Sequence, residues 1–190
     1  WPAETALLRT APAPLFLRSK LVNSCGDRVA LTGEGADEFF GGYDIFKETL
    51  VRRFWAKNPA SAFRPLLFKR LYTDIQGISS GQLDYLKAFY KKGLSETDTP
   101  YYSNALRWSN SKRNIRFLRL ADALDDSPIE AFPAGFNGWS PLAKAQFLET
   151  KTFLSPYLLA SQGDRMSMAH SVETRQPYLD VRLVEFCNHL

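Results

Sequence analysis

One stretch, residues 31–43 (LTGEGADEFFGGY), constrains this chain more than any other part of it. It follows the short apolar run Val29-Ala30-Leu31, which is typical of a buried strand. Helical spacing begins directly after the stretch, at Tyr43. The stretch carries four glycines, which let a backbone turn sharply and approach a ligand closely. The sequence therefore predicts a ligand loop at the carboxyl end of a strand.

Three carboxylates in the same stretch, Glu34, Asp37 and Glu38, narrow the kind of ligand. Backbone N–H groups at a helix start attract anions, whereas carboxylates repel phosphate unless a metal bridges them. Mg²⁺ is the usual bridge, because it binds one or two carboxylates together with phosphate oxygens. The local chemistry thus predicts a nucleotide–magnesium site. A tight strand-to-helix turn whose carboxylates cap the helix is the alternative without a ligand.

The spacing of the glycines excludes two common phosphate loops. Gly33-x-Gly35 begins like a dinucleotide fingerprint, but Glu38 stands where the third glycine belongs, and the GxxxxGK[ST] loop is absent. Residues 32–43 instead resemble the signature of the asparagine synthetase family. A second, longer match is residues 157–180 (YLLASQGDRMSMAHSVETRQPYLD), and the two segments come in the family order at about the family spacing.

The resemblance implies an α/β fold, part of a Rossmann-like synthetase domain of the ATP-pyrophosphatase (adenine nucleotide alpha hydrolase) type. We expect residues 1–190 to be a fragment of one such domain, mostly helical with few parallel strands. In the family, ATP activates the side-chain carboxylate of aspartate as an acyl-adenylate. Ammonia, which a separate N-terminal domain makes from glutamine, then attacks.

The resemblance also implies a role for each residue of the loop. Thr32, Gly33 and Gly35 are expected to contact ATP, and Asp37 is expected to bind Mg²⁺. Glu34 is expected to be the catalytic base that takes a proton from the attacking amine. These roles agree with the chemistry, since ammonium must lose a proton before it can attack and a positioned carboxylate can accept it.

The second segment holds further charged residues whose roles the residue types leave partly open. Arg165 lies in an apolar helical stretch, where a charged side chain rarely lacks a partner. Its predicted partner is an ATP phosphate or an aspartate carboxylate, both of which suit its planar guanidinium, or else a carboxylate in an internal ion pair. Glu173 and Arg175 are predicted to brace the backbone as a pair. His170 is predicted to be structural, and Asp180 to be the N-cap of a helix.

Apolar spacing and helix-start signals predict helices elsewhere. Three apolar stripes indicate helices: Leu15, Leu17, Leu21 and Val22; Phe46, Leu50, Val51, Phe54 and Trp55; and Leu83, Leu86 and Tyr90. Two serine–proline pairs, Ser140-Pro141 and Ser155-Pro156, predict helix starts. Residues 58–135 are predicted to be short helices divided by turns, as a helical excursion that covers the nucleotide site. The net charge is +4, and the basic clusters are interpreted as solvated helix faces rather than a nucleic-acid surface.

Two cysteines are too few for a disulfide framework or a zinc site, so a reducing, cytoplasmic setting is expected. The sequence contains no apolar run that could span a membrane. Neither end carries a start or stop signal, so we expect a piece of a longer protein that is inactive by itself. Its family-type Ser-Gly-Gly-x-Asp-Ser loop would then lie upstream.

The expected partners are aspartate, ATP and ammonia from an N-terminal glutaminase domain. Whether the protein forms a homodimer is left undecided by the sequence. Two alternatives to asparagine synthesis also stay open. One is another adenylate-forming amide synthetase of the same fold, similar to β-lactam synthetases or peptide-cyclising enzymes. The other is a non-catalytic relative, against which the presence of both Glu34 and Asp37 argues.

Overall fold

The computed structural model describes residues 2–4, 7, 9–71, 79–115, 129 and 131–189. In chain order its elements are α1 (Pro12–Ser24), β1 (Val29–Leu31), α2 (Ala36–Phe40), α3 (Asp44–Ala56), a 3₁₀ turn (Arg64–Leu67), α4 (Phe68–Leu71), α5 (Ser80–Tyr90), α6 (Ala105–Ile115), a 3₁₀ turn (Phe136–Gly138), α7 (Pro141–Glu149), a π-helix (Thr150–Asp164), α8 (Arg165–Met168), β2 (Glu173–Arg175), a 3₁₀ turn (Pro177–Leu179) and α9 (Val181–Asn188). They form two compact units, which we call the sheet unit (1–42 and 149–190) and the helical unit (43–148).

The sheet unit contains a two-stranded parallel sheet. Strand β1 pairs with β2, so that Val29 lies opposite Glu173 and Leu31 lies opposite Arg175. Parallel strands require a long crossover, and here it includes the whole helical unit. The described chain is thus a mostly helical α/β structure with few parallel strands, as predicted, whereas a larger Rossmann-like sheet stays a prediction.

The prediction that β1 is buried is wrong. Val29 is 46% exposed and Leu31 is 74% exposed. Both residues lie on the same face of the sheet as their partners Glu173 and Arg175, because paired residues of neighbouring strands point to the same side. An apolar run predicts burial only where both faces of a sheet are covered, and the side chains of Val29 and Leu31 remain largely open to solvent.

Helix α1 forms where predicted, but it buries a different face. It ends before Gly26, whose φ of +89° is a left-handed conformation that suits glycine. Leu17 and Leu21 of the predicted apolar stripe are each 63% exposed, whereas Ser19 is only 6% exposed. The reason is a set of hydrogen bonds: Ser19 Oγ contacts the carbonyl oxygen of Met166 at 2.8 Å, which turns the polar side of α1 inward.

The helical unit packs around aromatic side chains. Its core includes Trp55, Phe68 and Tyr90, and the rings of Phe68 and Tyr90 stack with centroids 4.2 Å apart. The predicted burial of Phe46 and Trp55 on α3 is confirmed, but Leu50 and Phe54 are 51% and 45% exposed. The buried face of α3 is rotated because it carries Ile45, Thr49 and Arg52 instead.

The other predicted helices have mixed outcomes. Helix α5 is confirmed, with Leu83 and Tyr90 buried and with Ser79 and Gln82 as a capping box at its start. Helix α7 begins at Pro141 as predicted. A helix start at Ser155-Pro156 is wrong, because Pro156 lies inside the π-helix. A proline persists inside a helix where altered winding relieves its clash with the preceding turn.

Short helices divided by turns are confirmed for the described part of residues 58–135, while a covering role over the nucleotide site stays a prediction. Residues 72–78, 116–128 and 130 of this segment lie outside the described residues. Over the described ranges, none of the helices combines the length and the apolar character that crossing a membrane requires.

A buried arginine holds the helical unit together. Arg52 is 2% exposed, and its guanidinium donates to the carbonyl oxygens of Tyr90 at 3.3 Å, Tyr102 at 3.0 Å and Lys92 at 2.9 Å. It also lies 4.3 Å from the centre of the Tyr102 ring. Two of these carbonyls belong to the end of α5 or to the residues just after it, so Arg52 of α3 caps α5. Burial lowers the pKa of Arg52, yet arginine stays protonated at neutral pH.

Replacing Arg52 with methionine should therefore destabilise the helical unit by about 3 kcal/mol, because several buried carbonyl groups lose a charged donor at once. Arg52→Lys should lose less, since an ammonium can still bind one or two of the carbonyls. Chemical denaturation of the chain measures the change. Lys47→Met, an exposed position on the same helix, is the matched control and should stay within about 0.5 kcal/mol of the parent. Equal stability of all three variants would contradict the capping role of Arg52.

Candidate functional site

The ligand loop predicted from the sequence joins β1 to α2. The Thr32 N–H donates to the Arg175 carbonyl oxygen over 2.9 Å, which continues the parallel pairing one residue beyond the end of β1. Helix α2 begins at Ala36, ahead of the helical spacing that the sequence shows from Tyr43, with Gly35 as its N-cap. Ligands of open α/β folds bind beyond the carboxyl ends of such strands. The backbone of residues 32–35 therefore lies where the sequence predicts a site.

Two polar atoms of this loop are buried without a protein partner. Thr32 Oγ1 and Glu34 Oε2 are inaccessible to solvent and have no hydrogen bond to any described residue. Each such atom costs about 1–3 kcal/mol when nothing pairs with it, so native proteins rarely keep one without a reason. A hydroxyl and a carboxylate oxygen together suit a ligand that brings both an acceptor and a donor. The orphaned atoms belong to two of the residues that the sequence predicts for the site.

The two glycines of the loop differ in their surroundings. Gly35 is buried with a φ of +94°, and a Cβ at this position would overlap Leu179 Cδ2. Gly33 is exposed, and a Cβ there would meet no atom within 4 Å. Gly33 thus leaves the backbone open to a ligand, whereas Gly35 packs against the 3₁₀ turn after β2. ATP contact by either glycine stays a prediction.

Asp37 lies in the first turn of α2 with an exposed side chain. Its carboxylate lies over Gly42, where a Cβ would overlap Asp37 Oδ1. The chain can pass this close because the Gly42 N–H donates to the Asp37 carbonyl oxygen over 2.9 Å and Gly41 caps α2 with a φ of +72°. Glu38, in contrast, is 1% exposed, so the three carboxylates of the stretch have different environments.

The donor set permits only a metal that needs few protein ligands. Among the described residues, no group of three or more histidine, cysteine, aspartate and glutamate side chains could hold a metal ion. Asp37 supplies one exposed carboxylate, and Mg²⁺ often binds through one or two carboxylates while phosphates and water complete its shell. The loop thus fits Mg²⁺ that arrives with a phosphate ligand, and it does not fit zinc or a preformed protein cage.

The charged residues of the second segment form local pairs. Arg165 Nη1 donates to the Ala3 carbonyl oxygen over 2.9 Å, and its Nε lies 3.6 Å from Glu4 Oε2. Glu173 and Arg175 pair across 2.8 Å on β2, which confirms the predicted brace. The structure therefore brings Thr32 and Glu34 together in one loop with Asp37 next to it, whereas Arg165 contacts the N-terminal residues.

Asp180 is the N-cap of α9, as predicted, because its carboxylate accepts from the Arg182 N–H at 2.9 Å. The Arg182 guanidinium also donates to both carboxylate oxygens, at 3.0 Å and 2.6 Å. These hydrogen bonds lower the pKa of Asp180 to about 2. Asp180 consequently remains ionised and holds the start of α9 in place over the physiological pH range.

The sequence model of the asparagine synthase family matches residues 1–190, which is the whole chain. The chain belongs to the asparagine synthase family. Among its relatives, amidase chry2 of Gibberella zeae is 28% identical over all of the chain and 30% of its own length. A putative glutamine-hydrolysing asparagine synthetase of Mycobacterium bovis is 28% identical over all of the chain and 28% of its own length. Asparagine synthetase 1 of Bacillus subtilis is 26% identical over 95% of the chain and 27% of its own length.

The chain therefore spans less than a third of the length of these curated relatives. No solved structure matches it. The family membership confirms the resemblance that residues 32–43 and 157–180 carry.

Sequence reasoning missed two supports of the ligand loop. The Arg175 carbonyl oxygen holds the Thr32 N–H, and Leu179 packs on Gly35. Both residues lie in the second segment that resembles the family, residues 157–180. The length of that match was the one indication in the sequence that this segment supports the ligand loop. Which backbone group meets which could not be predicted, because strand register depends on the folded crossover.

Replacing Gly35 with alanine should destabilise the sheet unit by about 2 kcal/mol, because the positive φ and the overlap with Leu179 both oppose a Cβ. Gly33→Ala is the matched control and should leave folding stability within about 0.5 kcal/mol of the parent, since its surroundings are open. Adding Leu179→Ala to Gly35→Ala should recover the part of the loss that comes from overlap. Thermal and chemical denaturation measure both effects. Equal losses for Gly33→Ala and Gly35→Ala would contradict this packing.

Proposed function

We propose that the protein which contains this chain amidates aspartate to asparagine in an ATP-dependent reaction, through a β-aspartyl-adenylate and with ammonia derived from glutamine. One observation carries this proposal: the loop after β1 buries Thr32 Oγ1 and Glu34 Oε2 without a partner among the described residues, in a chain of the asparagine synthase family. A structural turn would pair or expose such atoms, whereas a substrate site must leave them ready for a ligand.

The buried hydroxyl of Thr32 is assigned to the nucleotide. A hydroxyl can donate to a phosphate or ribose oxygen, and the N–H of the same residue is already bound to the Arg175 carbonyl oxygen. The backbone of Thr32 is thus held while its Oγ1 stays available. The exposed backbone of Gly33 lets the nucleotide approach beside it.

Glu34 is assigned to the attacking amine. Its Oε2 has no donor from the described protein, so it can accept the proton that ammonium loses before the nitrogen attacks the activated carboxyl carbon. Its burial excludes water from the same oxygen, which protects an activated acyl group from hydrolysis. The carboxylates of Glu34 and Asp37 then act on opposite ends of one substrate.

Asp37 is assigned to Mg²⁺, for which its single exposed carboxylate fits. A bound Mg²⁺ would neutralise negative charge on the phosphate oxygens of ATP. The contact of the Asp37 carboxylate with Gly42 fixes where that carboxylate lies. Contact of Arg165 with ATP also remains proposed. This contact requires the Arg165 guanidinium to leave the Glu4 carboxylate and bind a phosphate instead. Carboxylate and phosphate are both oxyanions, and the planar guanidinium group can bind either of them.

A second candidate is an amide synthetase with the same adenylating chemistry and a different acyl substrate, as in β-lactam synthetases or peptide-cyclising enzymes. Relatives named amidases in Gibberella zeae and Penicillium rubens match the whole chain at 28% and 29% identity, about as closely as the relatives named asparagine synthetases. One fold supports many substrates, so the acyl substrate needs its own test. Aspartate-dependent release of pyrophosphate from ATP favours the first candidate, and its absence in an active protein favours the second.

Glu34→Gln should separate the two halves of the reaction in the full-length protein. Release of pyrophosphate from ATP and aspartate should persist, because the amide leaves the nucleotide side of the loop intact. Asparagine formation should fall by about 10² to 10³, which is the usual contribution of a proton acceptor. Glu185→Gln, an exposed position on α9, is the matched control and should match the parent in both assays. Full asparagine formation by Glu34→Gln would refute the proposed role.

Asp37→Asn should raise the Mg²⁺ concentration that gives the half-maximal rate by about tenfold or more, because an amide binds Mg²⁺ more weakly than a carboxylate does. Asp27→Asn, exposed and upstream of β1, is the control and should leave that concentration unchanged. The measurement is the rate of pyrophosphate release as a function of Mg²⁺ at saturating ATP. An unchanged Mg²⁺ requirement in Asp37→Asn would remove this residue from the metal site.

A further inference from the structure

Helix α1 is tied to the turn between α8 and β2 by contacts that centre on His170. Ser19 Oγ lies 2.8 Å from His170 Nδ1, and Ser19 is almost fully buried. Asn23 Nδ2 donates to the His170 carbonyl oxygen over 2.6 Å. The Phe16 ring packs against the imidazole with 4.3 Å between the ring centres. Helix α1 thus holds both the side chain and the backbone of His170.

Ser19 Oγ joins His170 to two backbone carbonyl groups. It lies within hydrogen-bond distance of the carbonyl oxygens of Phe16, at 2.9 Å, and Met166, at 2.8 Å, as well as of His170 Nδ1. A hydroxyl can donate one hydrogen bond and also accept, so Nδ1 is a partner of Ser19 Oγ in either tautomer of the imidazole. The tautomer decides which of the two atoms donates, and in both cases the hydrogen bond holds the imidazole against α1.

A short path leads from His170 to the ligand loop. Ser171 adopts a φ of +55°, which a residue other than glycine keeps only where its surroundings hold it. Val172 follows, is 1% exposed, and donates its N–H to the Ser167 carbonyl oxygen over 3.1 Å. Strand β2 begins at the next residue and ends at Arg175, whose carbonyl oxygen binds the Thr32 N–H. The position of His170 therefore sets where β2 begins and, through β2, where Thr32 lies.

We propose that His170 is a positioning residue for the ligand loop: the hydrogen bond between its Nδ1 and Ser19 Oγ fixes β2, and β2 holds Thr32 in the position that binds ATP. The proposal rests on the proposed role of Thr32 in ATP binding. It gives His170 no contact with substrate. It also explains why α1 buries a serine rather than its leucines, since the serine forms the hydrogen bond that holds the turn.

Two substitutions separate the hydrogen bond from the packing. His170→Phe keeps a ring against Phe16 but loses the Nδ1 hydrogen bond. His170→Asn loses the ring but keeps a hydrogen-bonding group near the place of Nδ1. In the full-length protein, His170→Phe should raise the KM for ATP about tenfold with less than a twofold change in kcat, because it weakens binding rather than chemistry. His170→Asn should restore the KM to within about twofold of the parent. His189→Asn, at the exposed end of α9, is the control and should not change it.

A double-mutant cycle tests whether His170 acts through Thr32. Thr32→Val removes the hydroxyl and should itself raise the KM for ATP. Residues that act through one another have non-additive effects, so His170→Phe combined with Thr32→Val should raise the KM no further than Thr32→Val alone. Multiplied effects would overturn the proposal, as would a His170→Phe variant with a lower melting temperature and an unchanged KM.

The backbone amide signal of Thr32 in an NMR spectrum distinguishes failure of this proposal from failure of the proposed function. The signal should shift in His170→Phe and return toward the parent position in His170→Asn, without any substrate present. If Thr32→Val leaves the KM unchanged while the amide shifts as expected, the role of Thr32 in ATP binding fails and the positioning by His170 stands. An unshifted amide in His170→Phe overturns the positioning itself.

Discussion

The hydrogen bond from the Thr32 N–H to the Arg175 carbonyl oxygen is the interaction on which the candidate site depends. It continues the pairing of β1 with β2 past the last residue of β1, so the first residue of the ligand loop leaves the sheet in a fixed direction. Because the strands are parallel, a long crossover connection separates them along the chain. The loop near the start of the chain is therefore positioned by a segment near its end.

The rest of the sheet unit can be understood as support for this arrangement. Leu179, just after β2, packs where Gly35 has no side chain, and Gly42 lets the Asp37 carboxylate lie against the backbone. These contacts offset the unfavourable burial of two unpaired oxygen atoms in the loop, each of which costs about 1–3 kcal/mol. A bound ligand that pairs with those atoms would recover this energy, so the loop should become more stable when substrate binds.

Local features of the chain could be predicted from the sequence because neighbouring residues determine them. The N-cap at Asp180 and the proline start of α7 depend on nearby aspartate and proline. Which faces are buried could not be predicted in the same way. Leu17 and Leu21 are exposed and Ser19 is buried because of a contact with a residue far along the chain.

The same distinction applies to the site. The loop and its carboxylates could be found from residue types and from the family resemblance, whereas the Arg175 carbonyl and Leu179 depend on strand register and chain packing. Arg165 shows the limit of reasoning from charge alone. Its need for a partner was predictable, but the partners that the structure gives it, the Ala3 carbonyl oxygen and Glu4, lie near the opposite end of the chain.

The central claim is that the loop buries Thr32 Oγ1 and Glu34 Oε2 for a ligand. The most direct test is a crystal structure of the full-length protein with Mg²⁺, aspartate and an ATP analogue that cannot be cleaved. The account predicts a polar atom of the bound ligands within about 3.2 Å of Thr32 Oγ1, and an aspartate carboxyl group or the amine position next to it facing Glu34 Oε2. A structure in which the ligands bind elsewhere, while both oxygen atoms remain unpaired or meet only water, would contradict it.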